Sequence, residues 1–336
     1  MDRSANATPP TERRPKSGGG RRWRLPGALA WLLLLPWALW ALVRGLGLDG
    51  GYPLAMVVAL TPYAAATAVL PLAAALLTRC WQPVAAAVAV AVAFAAFLLP
   101  RALTDAPPAP APDGPTLRVL TLNMALGRAD ARTVVELVRT TGADLLSVQE
   151  LTPDAARALA EAGLDEPLPH AVVDALPGAS GGGLYSRYPL TALPGPTRYE
   201  PAMPWAGVEI PGAPAVEVVS VHPFPPLGAA PAREWTAYLE DLPRAEPAGT
   251  VRILAGDFNA THDHSAFRDL LASGYTDAAA AVGNGLTTTW PARGSPGLVL
   301  DHVLVDTRVR TARTGVHPVP GSDHLAVLAD LVLPGD

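Results

Sequence analysis

Residues 253–267 read ILAGDFNATHDHSAF. An apolar run stops abruptly at Asp257, Phe258 and Asn259, and His262, Asp263 and His264 follow at once. A short unbroken apolar run ending in a polar cluster reads as a fully buried strand, and Ser265 then offers a cap for an amphipathic helix over AFRDLLASG. Polar side chains at a strand end are where sheet proteins assemble a site, so the stretch poses a choice between a catalytic centre, a metal site and a polar loop.

The same arrangement recurs elsewhere in the chain. Asn123 closes VLTLN, Glu150 closes LLSVQE, His222 closes VEVVSVH, Asp301 sits in GLVLDHVLV, and Asp323 with His324 lie in GSDHLAV. Strands are predicted at 117–124, 144–151, 184–192, 206–210, 215–222, 251–256, 298–305, 307–316 and 325–333. Helices are predicted at 129–142, ended by Gly142, at 152–163, capped by Thr152 or Asp154, and at 230–243 and 265–273. Strands linked both by helices and by hairpins favour one α/β domain over 117–336, built of two packed sheets with helices outside.

Upstream the sequence changes character. Residues 26–43, 53–78 and 83–100 contain no charged side chain, and each reaches the ~18–20 residues that cross a hydrocarbon core. Three transmembrane helices are predicted, preceded by a basic tail over 1–25. That tail carries seven basic residues and the loop between the second and third segments carries Arg79, against Arg44 and Arg101 on the other side. The positive-inside rule then places the amino terminus in the cytoplasm and everything beyond residue 101 outside the cytoplasmic membrane. A cleaved signal peptide is the competing reading of the first segment, but its apolar core exceeds the roughly 7–15 residues of such peptides and two more segments follow. Arg21 and Arg22 fit the basic flank of a first span as well as twin-arginine export. Trp31, Trp37 and Trp40 suit either a membrane interface or apolar filling. Proline-rich residues 101–116 read as a semi-rigid spacer.

Composition bounds the partners. Half of the 336 residues are hydrophobic, and the formal net charge is −5. Residues 116–336 hold 15 arginines, no lysine and 25 acidic residues, a charge of −10. A protein that neutralises many phosphates shows a basic stripe; its absence here speaks against extensive nucleic-acid binding while leaving room for a small phosphate ligand. The single Cys80 lies in the predicted cytoplasmic loop, so the outer region has no disulfide framework.

The residue types point to metal-assisted phosphoryl chemistry. Glu150 and Asp323 are hard oxygen donors and Asn123 is a neutral one, a set that suits Mg²⁺ or Mn²⁺ better than Zn²⁺. Imidazoles and an amide can stabilise charge on phosphoryl oxygens, and a remaining carboxylate can orient or deprotonate water.

Taken in order, TLNM (121–124), SVQE (147–150), GGLYSRYPL (182–190), SVHPFPP (220–226), LAGDFNAT (254–261), LDHVLV (300–305) and GSDHLAV (321–327) resemble the endonuclease/exonuclease/phosphatase superfamily, the DNase I-like fold, across 117–333. The resemblance implies a four-layered α/β sandwich. It implies that Asn123 and Glu150 hold the metal side of the site, with Asp323 on the metal or its waters. His222 would contact the phosphate, Asp257 would position or activate water, and Asn259 would support the phosphoryl oxygens. His324 would stabilise the transition state or transfer protons, oriented by Asp301. Gly127-Arg128 departs from relatives that place an asparagine there.

The remaining polar residues are expected to be structural. Arg187 either meets phosphate or ties two loops together, His302 points to the face opposite Asp301, and Thr289 and Trp290 pack near the site. His262, Asp263 and His264 read as the loop leading to the next helix. A multi-span anchor ahead of such a domain is similar to the VanJ-type proteins associated with teicoplanin resistance. The leading expectation is therefore a membrane-anchored, extracytoplasmic, Mg²⁺- or Mn²⁺-dependent phosphoesterase acting on a lipid-linked phosphate or pyrophosphate of the cell envelope. An anchored nuclease for external DNA and a non-enzymatic ligand-sensing module are the competing readings.

Overall fold

The computed structural model describes residues 24–103, 113–195, 200–246, 248–294 and 296–335. The basic tail up to residue 23 and most of the proline-rich spacer lie outside the described residues. The first apolar segment forms α1 (Arg24–Leu46) and the third forms α5 (Trp81–Ala102). The second is not one helix. It breaks into α2 (Leu54–Val58), α3 (Thr61–Thr67) and α4 (Val69–Thr78). Pro62 and Pro71 explain the breaks: proline lacks an N–H and clashes with the preceding turn, so each sits in the first turn of a new helix. The stretches Gly27–Leu46, Thr61–Thr78 and Trp81–Ala102 are long and apolar enough to cross a membrane, which leaves α2 outside the second of them. The three pack on small side chains, with Ala30, Ala75 and Ala87 buried together, as close helix approach requires. Trp37 Nε1 donates to the Ala64 carbonyl at 3.0 Å and Trp40 Nε1 to Thr61 Oγ1 at 3.1 Å, so these two indoles brace the broken helix from within the bundle.

The following domain runs β1 (Thr116–Asn123), α6 (Ala131–Thr141), β2 (Leu145–Gln149), α7 (Pro153–Glu161), β3 (His170–Asp174), β4 (Gly182–Ser186), β5 (Leu190–Ala192), β6 (Trp205–Val208), β7 (Val216–Val221), α8 (Ala229–Asp241), β8 (Val251–Asp257), α9 (Ser265–Ala272), β9 (Tyr275–Asp277), α10 (Ala278–Ala281), β10 (Asp301–Asp306), β11 (Arg310–Pro318) and β12 (Leu325–Val332). The strands form two six-stranded sheets, ordered β11-β12-β1-β2-β4-β3 and β5-β6-β7-β8-β10-β9.

The two-residue period of a strand assigns every side chain to a layer. In β1, Leu117 and Val119 face the second sheet and join Val218, Ile253, Ala255 and Val303 in the central core. Leu120 and Leu122 face the other way, onto Val134, Val135 and Val138 of α6 and Leu159 of α7. In the second sheet, Val219, Val221, Leu254 and Leu304 face outward onto Trp235 and Leu239 of α8 and Phe267 and Leu270 of α9. Helices, sheet, sheet and helices make four layers, the architecture of the DNase I-like sandwich. Each fully buried Leu, Val or Phe in these layers contributes about 1.5–3 kcal/mol.

Local signals set the boundaries. Asp130 caps α6 by accepting the Thr133 N–H at 2.8 Å, and Gly142 ends it at φ 64°. Thr152 caps α7, with Pro153 in its first turn. Gly256 is required by packing: a Cβ there would strike the carbonyl of Val221 on neighbouring β7. The expected strand over 184–192 proves to be two, because Arg187-Tyr188-Pro189 carries the chain from β4 in the first sheet to β5 in the second. The edge strands β3 and β9, unforeseen in the sequence, are short, and β3 is half exposed.

Candidate active site

The same alternation that builds the core builds the site. Asn123 follows Val119 and Thr121 on the inner face of β1, Asp257 follows Ile253 and Ala255 on β8, and His222 follows Val218 and Ser220 just past β7. Asp301 opens β10 on that face and pairs in register with Asp257. All four are buried. The seam between the sheets thus changes from aliphatic to polar toward one end. Thr121, Ser147, Gln149 and Ser220 form an intermediate layer, with Ser147 Oγ 2.9 Å from Ser220 Oγ and Gln149 Nε2 donating to Ser147 at 2.9 Å.

Asp257 is the hub of the end layer. Its Oδ2 accepts Asn123 Nδ2 at 3.0 Å and its Oδ1 accepts the Asn259 N–H at 2.8 Å. Asn123 Nδ2 also donates to Glu150 Oε1 at 3.1 Å, and Asn123 Oδ1 accepts the Ala125 N–H at 2.8 Å. The loop after β1 places Ala125, Leu126 and Gly127 in left-handed backbone, and the Leu126 N–H donates to Glu150 Oε2 at 2.6 Å. Glu150 and Asn259 are themselves left-handed, at φ 54° and 45°. Such conformations cost on the order of 1–3 kcal/mol each in a non-glycine residue and gather at functional sites.

The two imidazoles stand back from the carboxylates. His222 Nε2 is 3.6 Å from Glu150 Oε1 and 3.9 Å from Asp257 Oδ2, and His324 Nε2 is 3.7 Å from Asp257 Oδ2. These gaps exceed a hydrogen bond. His324 Nδ1 is fixed by Asp301 Oδ2 at 2.9 Å, and its backbone N–H by Ser322 Oγ, which in turn donates to the Asn123 carbonyl at 2.7 Å.

Burial pushes the His222 pKa down despite the neighbouring Asp257 carboxylate, so this ring is neutral. Burial also pushes Asp257 up, opposed by His324 and reinforced by Asp301. For His324, burial acts downward but the carboxylates of Asp301 and Asp257 outweigh it and lift the ring to about 10. One neutral imidazole and one imidazolium therefore face each other across a single buried carboxylate, an acid–base arrangement poised for proton transfer.

The remaining sequence candidates fall at the edges. Asp323 is exposed at the rim, accepting Trp290 Nε1 at 3.2 Å. Asn259 donates its amide to the Pro223 carbonyl at 2.9 Å, holding the segment after His222 in place. Thr289 Oγ1 accepts the N–H groups of Leu300 and Asp301 at 3.0 and 3.1 Å. Arg187 ties loops, with its guanidinium 2.9 Å from Asp144. Glu150, Asn123 and Asp257 present carboxylate and amide oxygens with no thiol, a donor chemistry that fits a hard divalent cation. The ligand atoms of Asp257, Asp301 and His324 also lie within 4.8 Å of one another.

A cavity of about 360 Å³ opens above this cluster, lined by Glu150, His222, Asp257, Asn259 and His324 on one side. Ala55, Met56 and Ala59, from α2 and the residue after it, line the other side. Nothing in the sequence pattern announces that contribution, because α2 lies more than sixty residues before the first site residue.

His262, Asp263 and His264 form the loop leading into α9, as expected, but a buried one. Its three side chains are tucked in: His262 Nε2 lies 2.6 Å from Asp277 Oδ2, Asp263 is fully buried, and His264 Nε2 donates to the Ala55 carbonyl at 2.7 Å. His302 lies on the face away from Asp301, Nδ1 at 2.8 Å from Asp277 Oδ2 and Nε2 at 3.0 Å from the Ala260 carbonyl. His262, Asp277 and His302 form a second group with metal-like spacing. Both nitrogens of His302 are engaged by oxygen acceptors, so the ring is an imidazolium and cannot ligate.

Comparison with known proteins agrees with this geometry. The Endonuclease/Exonuclease/phosphatase family profile matches residues 120–324. Solved structures with the same fold include an AP endonuclease from Archaeoglobus fulgidus, 16% identical, covering 63% of this chain and 98% of its own, with a TM-score of 0.51. An endonuclease/exonuclease/phosphatase from Beutenbergia cavernae is 20% identical over 66% of this chain and 72% of its own, with a TM-score of 0.48. Sphingomyelinase C from Streptomyces griseocarneus is 17% identical over 64% of this chain and 99% of its own, with a TM-score of 0.44. Among curated proteins no sequence matches. With more than half of its length matched by the family profile, and with its strand-end polar residues gathered at the seam of a two-sheet sandwich, the chain belongs to the endonuclease/exonuclease/phosphatase family of hydrolases.

Proposed function

We propose that this protein is a membrane-anchored, divalent-metal-dependent phosphoesterase whose catalytic domain lies outside the cytoplasm and acts on a lipid-linked phosphate or pyrophosphate of the cell envelope. The observation that carries the reading is the Asp257 cluster. It is a buried carboxylate held by two amide N–H groups and flanked at 3.7 and 3.9 Å by an imidazolium and a neutral imidazole, beneath a cavity of about 360 Å³. Asp257 Oδ2 accepts the proton of the attacking water. His324 Nε2–H meets a phosphoryl oxygen or the leaving oxygen, and Asp301 orients that ring and stabilises its positive charge. His222 and the Asn259 amide confine the phosphate. Glu150 and Asn123, with Asp323 through water, would hold Mg²⁺ or Mn²⁺, which when bound supplies Lewis-acid stabilisation of phosphoryl charge.

Placement outside the cytoplasm rests on the basic tail and Arg79 against Arg44 and Arg101. A lipid substrate is supported by the three candidate spans and by the apolar wall from α2. The same placement fits a role in resistance to envelope-directed glycopeptide antibiotics. The −10 charge of the domain, without a lysine, weighs against DNA. The test is phosphate release by the purified full chain with Mg²⁺ across a long-chain prenyl pyrophosphate, phospholipids, nucleotides and nicked or supercoiled DNA, with Asp257→Ala as control. Release from the lipid pyrophosphate, lost in the variant, is expected; DNA nicking without lipid turnover would overturn the substrate assignment.

A further inference from the structure

The segment Thr261–Ser265 is where the membrane helices meet the domain. Asp263 is fully buried and receives Arg44 Nε from the last turn of α1 at 3.1 Å and Arg101 Nη2 from the end of α5 at 2.7 Å. Arg44 Nη2 donates to the His262 carbonyl at 3.2 Å and its guanidinium lies over the Phe97 ring at 4.3 Å. Asp49 Oδ2 accepts the Ser265 N–H at 2.8 Å, and Arg268 bridges the Asp263 and Arg44 carbonyls. One buried anion with two buried cations is held only by close geometry, and removing the anion strands both guanidiniums. The consequence is a fixed docking of two spans on the loop that immediately follows Asp257 and Asn259.

That docking holds α2 across the cavity. His264 Nε2 grips the Ala55 carbonyl, and Ala55, Met56 and Ala59 face the catalytic cluster with no hydrogen-bonding side chain among them. Leu227 and Leu298 extend the same apolar surface. A second cavity of about 230 Å³ shares Ala59 and Leu298 with the first and continues past Tyr63 to Ala66, inside the stretch long enough for the second span. The Tyr63 hydroxyl fastens this side by donating to the Gly297 carbonyl at 2.8 Å. A largely apolar path of two neighbouring cavities, the second lined also by Arg101, His262 and Asp263, thus leads from the phosphate cluster toward the flank of a candidate membrane helix.

We propose that this path is a hydrocarbon-chain subsite, with α2 as its wall and Asp263, clamped by Arg44 and Arg101, as the positioning residue that keeps the wall over the catalytic centre. The proposal rests on the phosphoesterase reading above and names its substrate class more closely: an amphiphile whose phosphate or pyrophosphate group is joined directly to a long hydrocarbon chain. The wall of Ala55, Met56 and Ala59 beside the phosphate cluster offers no side-chain hydrogen bond to a glycerol- or ceramide-like polar spacer. The chain is recognised by burial, which is non-directional, and the phosphate by the polar cluster.

The experiment uses the full chain in detergent and compares kcat/KM for a long-chain prenyl pyrophosphate, a five-carbon prenyl pyrophosphate and phosphatidic acid. Met56→Glu is the primary variant, since Met56 is 38% exposed, and it is read with its melting temperature. Asp263→Ala is the second, read with its melting temperature. Both should lower the ratio of long-chain to short-chain kcat/KM by about tenfold or more, chiefly through KM, and the wild type should prefer the long prenyl chain over phosphatidic acid. A ratio unchanged in Met56→Glu, or equal wild-type kcat/KM for long and short chains, overturns the subsite. A preference for phosphatidic acid overturns the direct chain–phosphate linkage. Failure of the wild type to hydrolyse any of the three overturns the lipid-substrate reading on which the subsite rests.

Discussion

Two clusters of buried charge lie within twenty residues of each other in sequence, one around Asp257 and one around Asp263 and Asp277, and they are built on opposite lines. Around Asp257 the two imidazoles stand 3.9 and 3.7 Å from the carboxylate, under an open cavity, and only the far nitrogen of His324 closes on a carboxylate, that of Asp301 at 2.9 Å. Around Asp263 and Asp277 the partners close to 3.1, 2.7, 2.6 and 2.8 Å. The second group is closed apart from the buried Arg101 Nε, and it holds parts of the molecule together. The first leaves lone pairs and N–H groups without full partners at separations that an oxygen-bearing ligand can bridge. Metal-like spacing occurs in both clusters, so spacing does not separate a site from a socket; incomplete pairing and access do.

The largest effect that tests this difference is at Asp257. Replacing it with Asn should cut kcat about 10³–10⁴-fold while leaving the thermal midpoint unchanged or higher, since burial already disfavours that charge. A large loss of stability would make Asp257 another member of the closed kind. The converse experiment is Asp277→Ala, which strands the His302 imidazolium and should cost about 3–5 kcal/mol of unfolding free energy. The imidazoles hold the Asp277 carboxyl well below its usual range against the upward push of burial. Its contribution is therefore present above its ordinary 3.8 and lost as pH falls toward the folded value. The variant should flatten the acid limb of stability measured by denaturant unfolding between pH 2 and 6.

A smaller effect is expected at Asp301. Asp301→Asn should lower kcat about 10–100-fold, as loss of an imidazole's orienting carboxylate does. His324 is lifted to about 10, so its positive charge and the stability it brings are fully present below 6.5 and lost as pH rises through about 10. Without Asp301 the alkaline limb of the pH–rate profile should move toward 6.5, and an unmoved limb would remove His324 from proton transfer. The smallest effect belongs to Arg187, half exposed and paired with Asp144. Arg187→Ala should change stability by less than about 1 kcal/mol and leave phosphate release unaltered.

Most of the sandwich was legible because its central strands are unbroken buried runs. β1, β2, β7, β8 and β10 announce themselves by apolar period and by the polar residue that closes or opens each. The edge strands β3 and β9 were not legible, since His170–Asp174 is short and half exposed and Tyr275–Asp277 is only three residues long, and edges are kept short to avoid pairing with other chains. The single strand expected over 184–192 failed at Pro189, a residue that interrupts a ladder. Asn123, Glu150, His222, Asp257, Asp301 and His324 were candidates from residue type and position at strand ends, and the geometry gathers them. The left-handed backbones of Glu150 and Asn259 carry no sequence signal, and α2 as a cavity wall was hidden because contacts between residues 55–59 and 257–264 join segments two hundred residues apart. Asp263 looked like loop polarity because its partners, Arg44 and Arg101, served equally well as charges flanking membrane spans.

The central claim is that the open cluster holds the catalytic cation and the closed one holds none. Titration of the purified full chain with Mn²⁺, read by electron paramagnetic resonance, tests it directly. The account predicts binding that Glu150→Gln weakens by about tenfold or more and His262→Gln leaves intact, with Mg²⁺ competing. Binding that survives Glu150→Gln and disappears with His262→Gln would contradict it.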